Sequence, residues 1–536
     1  MKKIVLAIAL IIPSILQAQN AIDAYRVSDT QIKGTARYVS MGGAFTSLGG
    51  DPSSILQNPA GIGVYRSSEI SLTLGGLWTK NTSPSTEAAK NGTLTFDNLA
   101  LVTTFNTKKS KGLLSFNLGV TYNRHQSYDR TYNGVVPNLG ASFTNYLETV
   151  TNGIPSTDLA VTEQKDSYYE TSSPWLSILG YQSFLISPIS DGSDIYEGLY
   201  NPEIGTTGSS YTTIKESGRN DEYTINFGGN INNRVYFGVA LGIRDFNIAR
   251  EVYYTEDLYN TQGVYVNDQN VEGGITSANY TYHTIYNMKG TGFNGKFGVI
   301  VRATDNLRIG ATIHTPTYFT VDQTVDASID NYMLVGYNAM TNLKNESANQ
   351  IIPEIALNTI KIRTPWNFQV GASYVIGKKA IVSADYQYTA YNTMKMKEYN
   401  GDEYPIEKEF YKTMFKAGHT VKLGAEYRVT NALSLRAGYA IELSPIKNEL
   451  KNVEAEVPTA GMQTAYMLPG NASYYSFGAG YKFRMCYLDF AYQHYTQKSD
   501  MFGYSPLFTA DTSLIPGSSE VTTKQNAITF TFGLKF

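Results

Sequence analysis

Ten ionisable side chains in this sequence stand where their neighbours in the chain are largely apolar: Lys296, Arg302, Arg308, Asp385, Lys422, Glu426, Arg428, Arg436, Glu442 and Asp489. On an extended chain this spacing sets them on the face opposite the apolar one. Most are expected to form a ladder of paired charges. Two of them, Arg436 and Arg308, could instead bind a substrate carboxylate, because the planar guanidinium matches its two oxygens. Other chemistry finds little footing. The five histidines (His125, His283, His314, His419 and His494) are scattered. None belongs to a recognisable triad, and no two stand at the helical spacing of a zinc pair. His314, followed by Thr315 and Pro316, reads as a lumen or rim residue. The single cysteine, Cys486, rules out an internal disulfide or a thiolate cage. The glycine-rich stretch 42–50 lacks the Gly-Lys-Ser/Thr ending that cradles phosphate. The sequence therefore predicts no enzyme, no cofactor and no metal.

The elements that position these charges follow from composition and period. The chain has 536 residues, 42% hydrophobic and 17% charged, with 43 Lys plus Arg against 46 Asp plus Glu. That near balance excludes nucleic acid as a partner. Tyr at 42, Gly at 47 and Phe at 23 favour strands, turns and wetted aromatic surfaces over an aqueous helical enzyme. Residues 1–19 carry Lys2 and Lys3, the apolar run 4–16 and the small Ala18, the layout of a secretory signal peptide cleaved after Ala18 or Gln19. No later stretch approaches the ~20 apolar residues of a membrane helix. A chain that lives in a bilayer without such helices must close into a β-barrel, where each backbone group finds its partner on a neighbouring strand.

Parity supports the barrel. Ile528, Phe530, Phe532, Leu534 and Phe536 alternate with Thr529, Thr531, Gly533 and Lys535, and the segments around Leu435, Val382 and Leu307 repeat the pattern. Short connections near 106–111, 232–233, 304–306, 377–379, 430–432 and 484–485 alternate with long ones near 79–95, 124–221, 259–279, 325–355, 394–418, 447–472 and 499–520. The expectation is an all-β fold, a transmembrane antiparallel β-barrel of about 14 strands in the outer membrane, with both chain ends on the periplasmic side. Gly290, Gly292 and Gly295 predict a bend or bulge in a strand spanning about 280–303; splitting that strand gives an odd count, and the even count is preferred. Two stretches do not read as strands. Residues 20–65, rich in glycine, are long enough to plug the lumen as a hatch, leaving 66–536 for the barrel and its long extracellular loops. In loop 124–221 the cluster Trp175, Leu176, Ile178, Leu179, Tyr181, Phe184, Leu185 and Ile186 predicts a short amphipathic helix outside the membrane. Trp175 and Phe184 either pack the loop on the rim or collect a ligand.

Arg37-Tyr38-Val39-Ser40-Met41-Gly42-Gly43-Ala44-Phe45 followed by Asp51-Pro52-Ser53-Ser54-Ile55-Leu56-Gln57-Asn58-Pro59-Ala60-Gly61 resembles the N-terminal hatch of the FadL/TodX family of outer-membrane transporters for long-chain fatty acids and hydrocarbons. Leu435-Arg436-Ala437-Gly438-Tyr439, with Ser444-Pro445 behind it, and Phe477-Gly478-Ala479-Gly480-Tyr481 extend the resemblance. It implies a 14-stranded barrel plugged by the hatch. It also implies passive transport of small hydrophobic compounds from the extracellular loops into an apolar pocket, past a shifting hatch, and out sideways into outer-membrane lipid. Asn58, Pro59, Ala60 and Gly61 fall on the hatch motif, Asn58 as a polar latch to the wall and Pro59 fixing a turn, although the motif could serve only to fold the plug. The alternative is a secretion-associated barrel that binds a protein partner and moves no small molecule. A hatch of this length argues against an open porin, and the chain is too short for a TonB-dependent receptor.

Overall fold

Period-2 alternation over so many segments resolves into a closed cylinder. The computed structural model describes residues 21–190, 192–267, 269–337, 342–400, 407–459, 461–509 and 513–536; the expected signal peptide lies outside them. Fourteen strands form the wall: β1 (Glu69–Thr82), β2 (Ala89–Asn106), β3 (Leu113–Ser127), β4 (Thr207–Ile231), β5 (Val235–Tyr259), β6 (Glu272–Arg302), β7 (Leu307–His314), β8 (Asn367–Ile376), β9 (Ala380–Thr389), β10 (Gly418–Arg428), β11 (Leu433–Leu443), β12 (Tyr466–Phe483), β13 (Cys486–Phe502) and β14 (Ser518–Lys535). Each pairs antiparallel with the next, and β14 returns to β1 from Glu69↔Lys535 to Thr82↔Thr522. Closure removes the sheet edge that hydrocarbon would not tolerate. On β14, Phe530 and Phe532 are each 50% exposed on the outside, while Thr529 and Thr531 are 4% and 0% exposed on the inside. The apolar face meets lipid and the polar face meets the bore.

The expected count and alternation hold, with differences in detail. The bend or bulge expected around Gly290–Gly295 leaves no slip between β6 and β5, which pair in continuous register from Ser277 to Val301 of β6. A break in pairing falls on the other side of β6. There β7 ends at His314, Thr315-Pro316-Thr317 intervenes, and the chain resumes as a strand, Tyr318–Tyr337, against the upper part of β6. Proline has no N–H for the ladder, so the break belongs at Pro316. The long connections are also shorter than the sequence suggests: the turn after β1 is only 83–88, and 207–221 belongs to β4. Strands continue beyond the bilayer, where the outer face turns polar (Lys215, Glu251 and His283 bridge across β4, β5 and β6) and the hydropathy signal ends before the ladder does.

Above that extended wall the 124–221 connection forms a cap. Its helix Trp175–Gln182, where the sequence predicts one, buries Leu176, Ile178 and Leu179. Together with Phe143 and Leu147 from the helix Phe143–Thr151, they join a core with the inward-facing Tyr254, Tyr280 and Tyr282 of β5 and β6. The barrel's two end strands meet on the short-turn, periplasmic side. The first described residues do not lie there. Helix α1 (Ala21–Ser28) sits well up the bore, where Asp23 accepts from Tyr286 Oη at 2.9 Å and Arg26 pairs with Glu216 at 3.5 Å.

Candidate functional site

From α1 the segment 21–65 runs down the bore to the start of β1. Its sequence is a succession of caps. Thr35 caps α2 (Ala36–Ser40), Asp51 caps α3 (Pro52–Gln57) through Ser53 N, and Asn58 caps a 3-10 turn, Pro59–Val64, through Ala60 N at 3.0 Å. Asp51-Pro52 and Asn58-Pro59 are thus the same device twice, an acceptor side chain followed by a proline whose missing N–H costs nothing at the first helical position. Asn58 Nδ2 donates to the Thr46 carbonyl at 2.6 Å, with longer approaches to the carbonyls of Val299 (3.4 Å) and Ala311 (3.5 Å) on β6 and β7. It therefore joins two parts of the segment and also reaches the wall. Ala60 packs with Tyr236 and Ile300, and Gly61 lies against Gly49.

The wall holds this segment through side chains that bind its backbone. Asp385 Oδ2 accepts from Thr46 N at 2.7 Å, and Thr531 Oγ1 accepts from Ala36 N at 2.7 Å. Asn226 donates to the Pro59 carbonyl, Asn117 to that of Ile62, and Arg308 Nη1 to that of Leu48 at 3.0 Å. His314 Nε2 lies 2.7 Å from the Gln57 carbonyl, which can only accept, so that nitrogen carries the proton. Glycines make the approach possible. Gly238, Gly298, Gly310, Gly371, Gly424, Gly438 and Gly478 face inwards, and a methyl group on any of them would overlap the segment, for example the Pro59 carbonyl at Gly238 and Gly42 at Gly438. Several pair directly across strands, Gly238 with Gly298, Gly310 with Gly371 and Gly424 with Gly438. The wall carries a seat of glycines, bordered by the side chains that bind the segment.

Near the periplasmic mouth the segment is held by charge. Arg37 Nε donates to Glu426 Oε2 at 2.9 Å; Arg436 donates through Nε to the same oxygen at 2.7 Å and through Nη1 to Asp489 Oδ1 at 2.6 Å. Arg436 and Arg308, the two carboxylate candidates, are thus both engaged with protein groups. Lys296, Asp385, Lys422, Glu442 and Asp489 line the bore as parity requires, whereas Arg302 sits at the turn bonded to the Asp305 carbonyl. Beside the clamp, burial pushes the Asp51 carboxyl up to about 6, against the opposing pull of Arg37 and the hydrogen bond from Thr35 and with the nearby Glu69 adding to the rise. The unfolded value is ~3.9, so the folded segment prefers protonated Asp51, and this contribution is lost as pH rises from about 4 through 6. Asp51→Asn, which keeps the cap, is expected to stabilise the seated segment by up to ~2 kcal/mol at pH 7.5 and by little at pH 4. Protease resistance of residues 21–65 across that range would measure it, and equal resistance of the two proteins at pH 7.5 would count against it.

On the extracellular side a cavity of about 560 Å³ lies between the cap and the extended wall, bordered by Tyr146, Val150, Tyr168, Trp175, Leu176, Val325, Leu357 and Met462. Trp175 is fixed there by Nε1 donating to the Tyr168 carbonyl at 3.1 Å. Phe184 is elsewhere, packed on Tyr265 with ring centroids 4.8 Å apart. The wall itself has an interruption near the extracellular side. β2 and β3 pair only from Asn98↔Asn123 to Asn106↔Ser115, so Ala89–Asp97 has no strand partner on that side among the described residues. Beyond β3 the chain turns inwards as a strand, Arg130–Val136, paired with β4. The interruption is closed by side chains: Asn81 donates to the Thr131 carbonyl at 2.7 Å, and Asn91 accepts from Thr131 N at 2.9 Å. The glycine seat, Arg37 and this interruption were not singled out from sequence; the seat leaves a trace there, in glycines that recur at inward parity on successive strands.

A family model described as outer membrane protein transport protein (OMPP1/FadL/TodX) matches residues 204–536. Among solved structures, a FadL homologue from Pseudomonas aeruginosa aligns over 95% of this chain and 100% of its own, with 13% identity and a TM-score of 0.51, a likeness of fold. The Pseudomonas putida toluene transporter TodX aligns over 95% and 100% with 12% identity and a TM-score of 0.47. The Ralstonia pickettii toluene transporter TbuX aligns over 94% and 99% with 13% identity and a TM-score of 0.44. No curated protein matches the chain.

Proposed function

The chain belongs to the OMPP1/FadL/TodX family of outer membrane transport proteins, and from that premise we propose that it carries small hydrophobic compounds, fatty-acid or hydrocarbon-like, passively across the outer membrane. The observation that carries this reading is the cavity at Trp175, a space of about 560 Å³ whose walls are mostly aromatic and aliphatic. A drug-sized apolar ligand fits such a volume, and each Å² of apolar surface it removes from water contributes about 25 cal/mol. From there the bore leads to segment 21–65, which acts as the gate. The interruption between β2 and β3, once the contacts of Asn81 and Asn91 with Thr131 open, supplies a sideways exit, so the solute reaches lipid without being rehydrated.

Uptake of labelled long-chain fatty acid and of toluene by cells with and without the protein tests the reading. Trp175→Ala removes the aromatic anchor and is expected to weaken capture about tenfold. Should neither compound enter in a protein-dependent way while a secreted protein is retained on the barrel, the secretion reading replaces this one.

A further inference from the structure

On its outer face, across β8 to β11, the wall dips into an apolar groove of about 600 Å³. Outward positions there carry alanine in place of larger side chains such as Phe530 and Phe532 of β14. Ala372 pairs with Ala384 between β8 and β9, Ala425 pairs with Ala437 between β10 and β11, and all four are exposed. Tyr374 and Tyr439 stand at the borders. The groove lies in the periplasmic half of the wall, because Tyr374 and Ala425 come within a few residues of the short turns 377–379 and 429–432.

This part of the wall crosses hydrocarbon, so the occupant of the groove is apolar and comes from the membrane. Charge at the foot of the groove says what the occupant carries at its other end. The turn between β8 and β9 is Gly377-Lys378-Lys379, both lysines are exposed, and neither makes an ion pair among the described residues. Asp305, the carboxylate of the neighbouring turn 303–306, is already shared by Arg234 and Arg302. The turns 107–112 and 484–485 likewise hold Lys108, Lys109, Lys111 and Arg484 and no carboxylate. The wall therefore meets the periplasmic headgroups with a cationic rim, and each such cation strengthens attachment to anionic lipid about fivefold. We propose that the groove binds an anionic phospholipid of the periplasmic leaflet, with one acyl chain along the alanines and the phosphate on Lys378 and Lys379. The site goes beyond the transport reading, because it faces lipid and not the bore and needs no solute.

Native mass spectrometry of the full chain, released from nanodiscs of equal phosphatidylglycerol and phosphatidylcholine with the same acyl chains, tests it. The wild type is expected to leave with one phosphatidylglycerol bound and to retain it about tenfold or more over phosphatidylcholine. Lys378→Gln/Lys379→Gln is expected to abolish that preference. Ala384→Leu/Ala425→Leu, which fills the groove with the side chain that Leu423 already presents to lipid, is expected to abolish retention of either lipid. The lysines lie in a turn outside the strands, so the first variant reports even if the second assembles poorly. Equal retention of the two lipids by the wild type, wild-type behaviour of either assembled variant, or a second copy of the chain in place of lipid overturns the proposal.

Discussion

Gly438→Leu is expected to unseat the N-terminal segment while leaving the barrel assembled. Gly438 faces Gly42 so closely that even a methyl group would overlap it, and its cross-strand partner is another seat glycine, Gly424. Overpacking of a well-fitted interior costs typically 1–3 kcal/mol. Here the overlap involves backbone on both sides, so no side chain can swing away to relieve it. The segment is expected to lift, raising ion conductance in planar bilayers and sensitivity to bulky hydrophilic antibiotics at least tenfold. Gly140→Leu, at a position with open space around it, is the matched control. If Gly438→Leu produces a fully assembled barrel with wild-type conductance, the glycine seat does not hold the plug.

Arg436→Met should be the most destabilising change at the periplasmic mouth. Arg436, Glu426 and Asp489 have side chains only 7%, 13% and 5% exposed. Removing the guanidinium leaves Asp489 buried without its ion-pair partner and Glu426 with Arg37 alone. Breaking a buried pair from one side costs ~3–5 kcal/mol, most of it the stranded charge. Arg436→Met/Asp489→Leu is expected to recover much of that loss. Thermal denaturation, with protease access to segment 21–65, separates the outcomes: a single variant as stable as wild type would show that the clamp contributes little.

The barrel was legible because one physical requirement, apolar outwards and polar inwards, repeats at period 2 wherever a strand crosses hydrocarbon. Where that requirement ends, legibility ends with it. Residues 207–221 read as loop because, above the bilayer, Lys215 and Arg219 point outwards on a strand whose ladder is unbroken. The glycines at 290–295 predict a bend or bulge, yet glycine only permits a distortion; Pro316, which cannot donate, enforces a break in the ladder. At the site, the motif around Asn58 identified the segment but not its contacts. That Arg436 would meet Glu426 and Asp489 depends on cross-strand register, which sequence gives only once the turns are fixed. The chain distance between Arg37 and Glu426 hides their pairing altogether.

The height of the wall has a consequence of its own. β6 runs for 31 residues and β5 for 25; at about 3.3 Å per residue β6 is some 100 Å of strand, roughly 70 Å of elevation at a 45° tilt, against an apolar belt of about 25 Å. The cavity at Trp175 borders Gln323 and Val325, which pair with Met288 and Tyr286 about fifteen residues up β6 from its periplasmic turn, roughly 35 Å of elevation by the same arithmetic. Half of the wall still rises above that level, so on the proposed route a solute coming from the medium must pass the cap through a polar collar before it meets an apolar wall, and uptake should respond to changes in the cap more than to changes in the lipid.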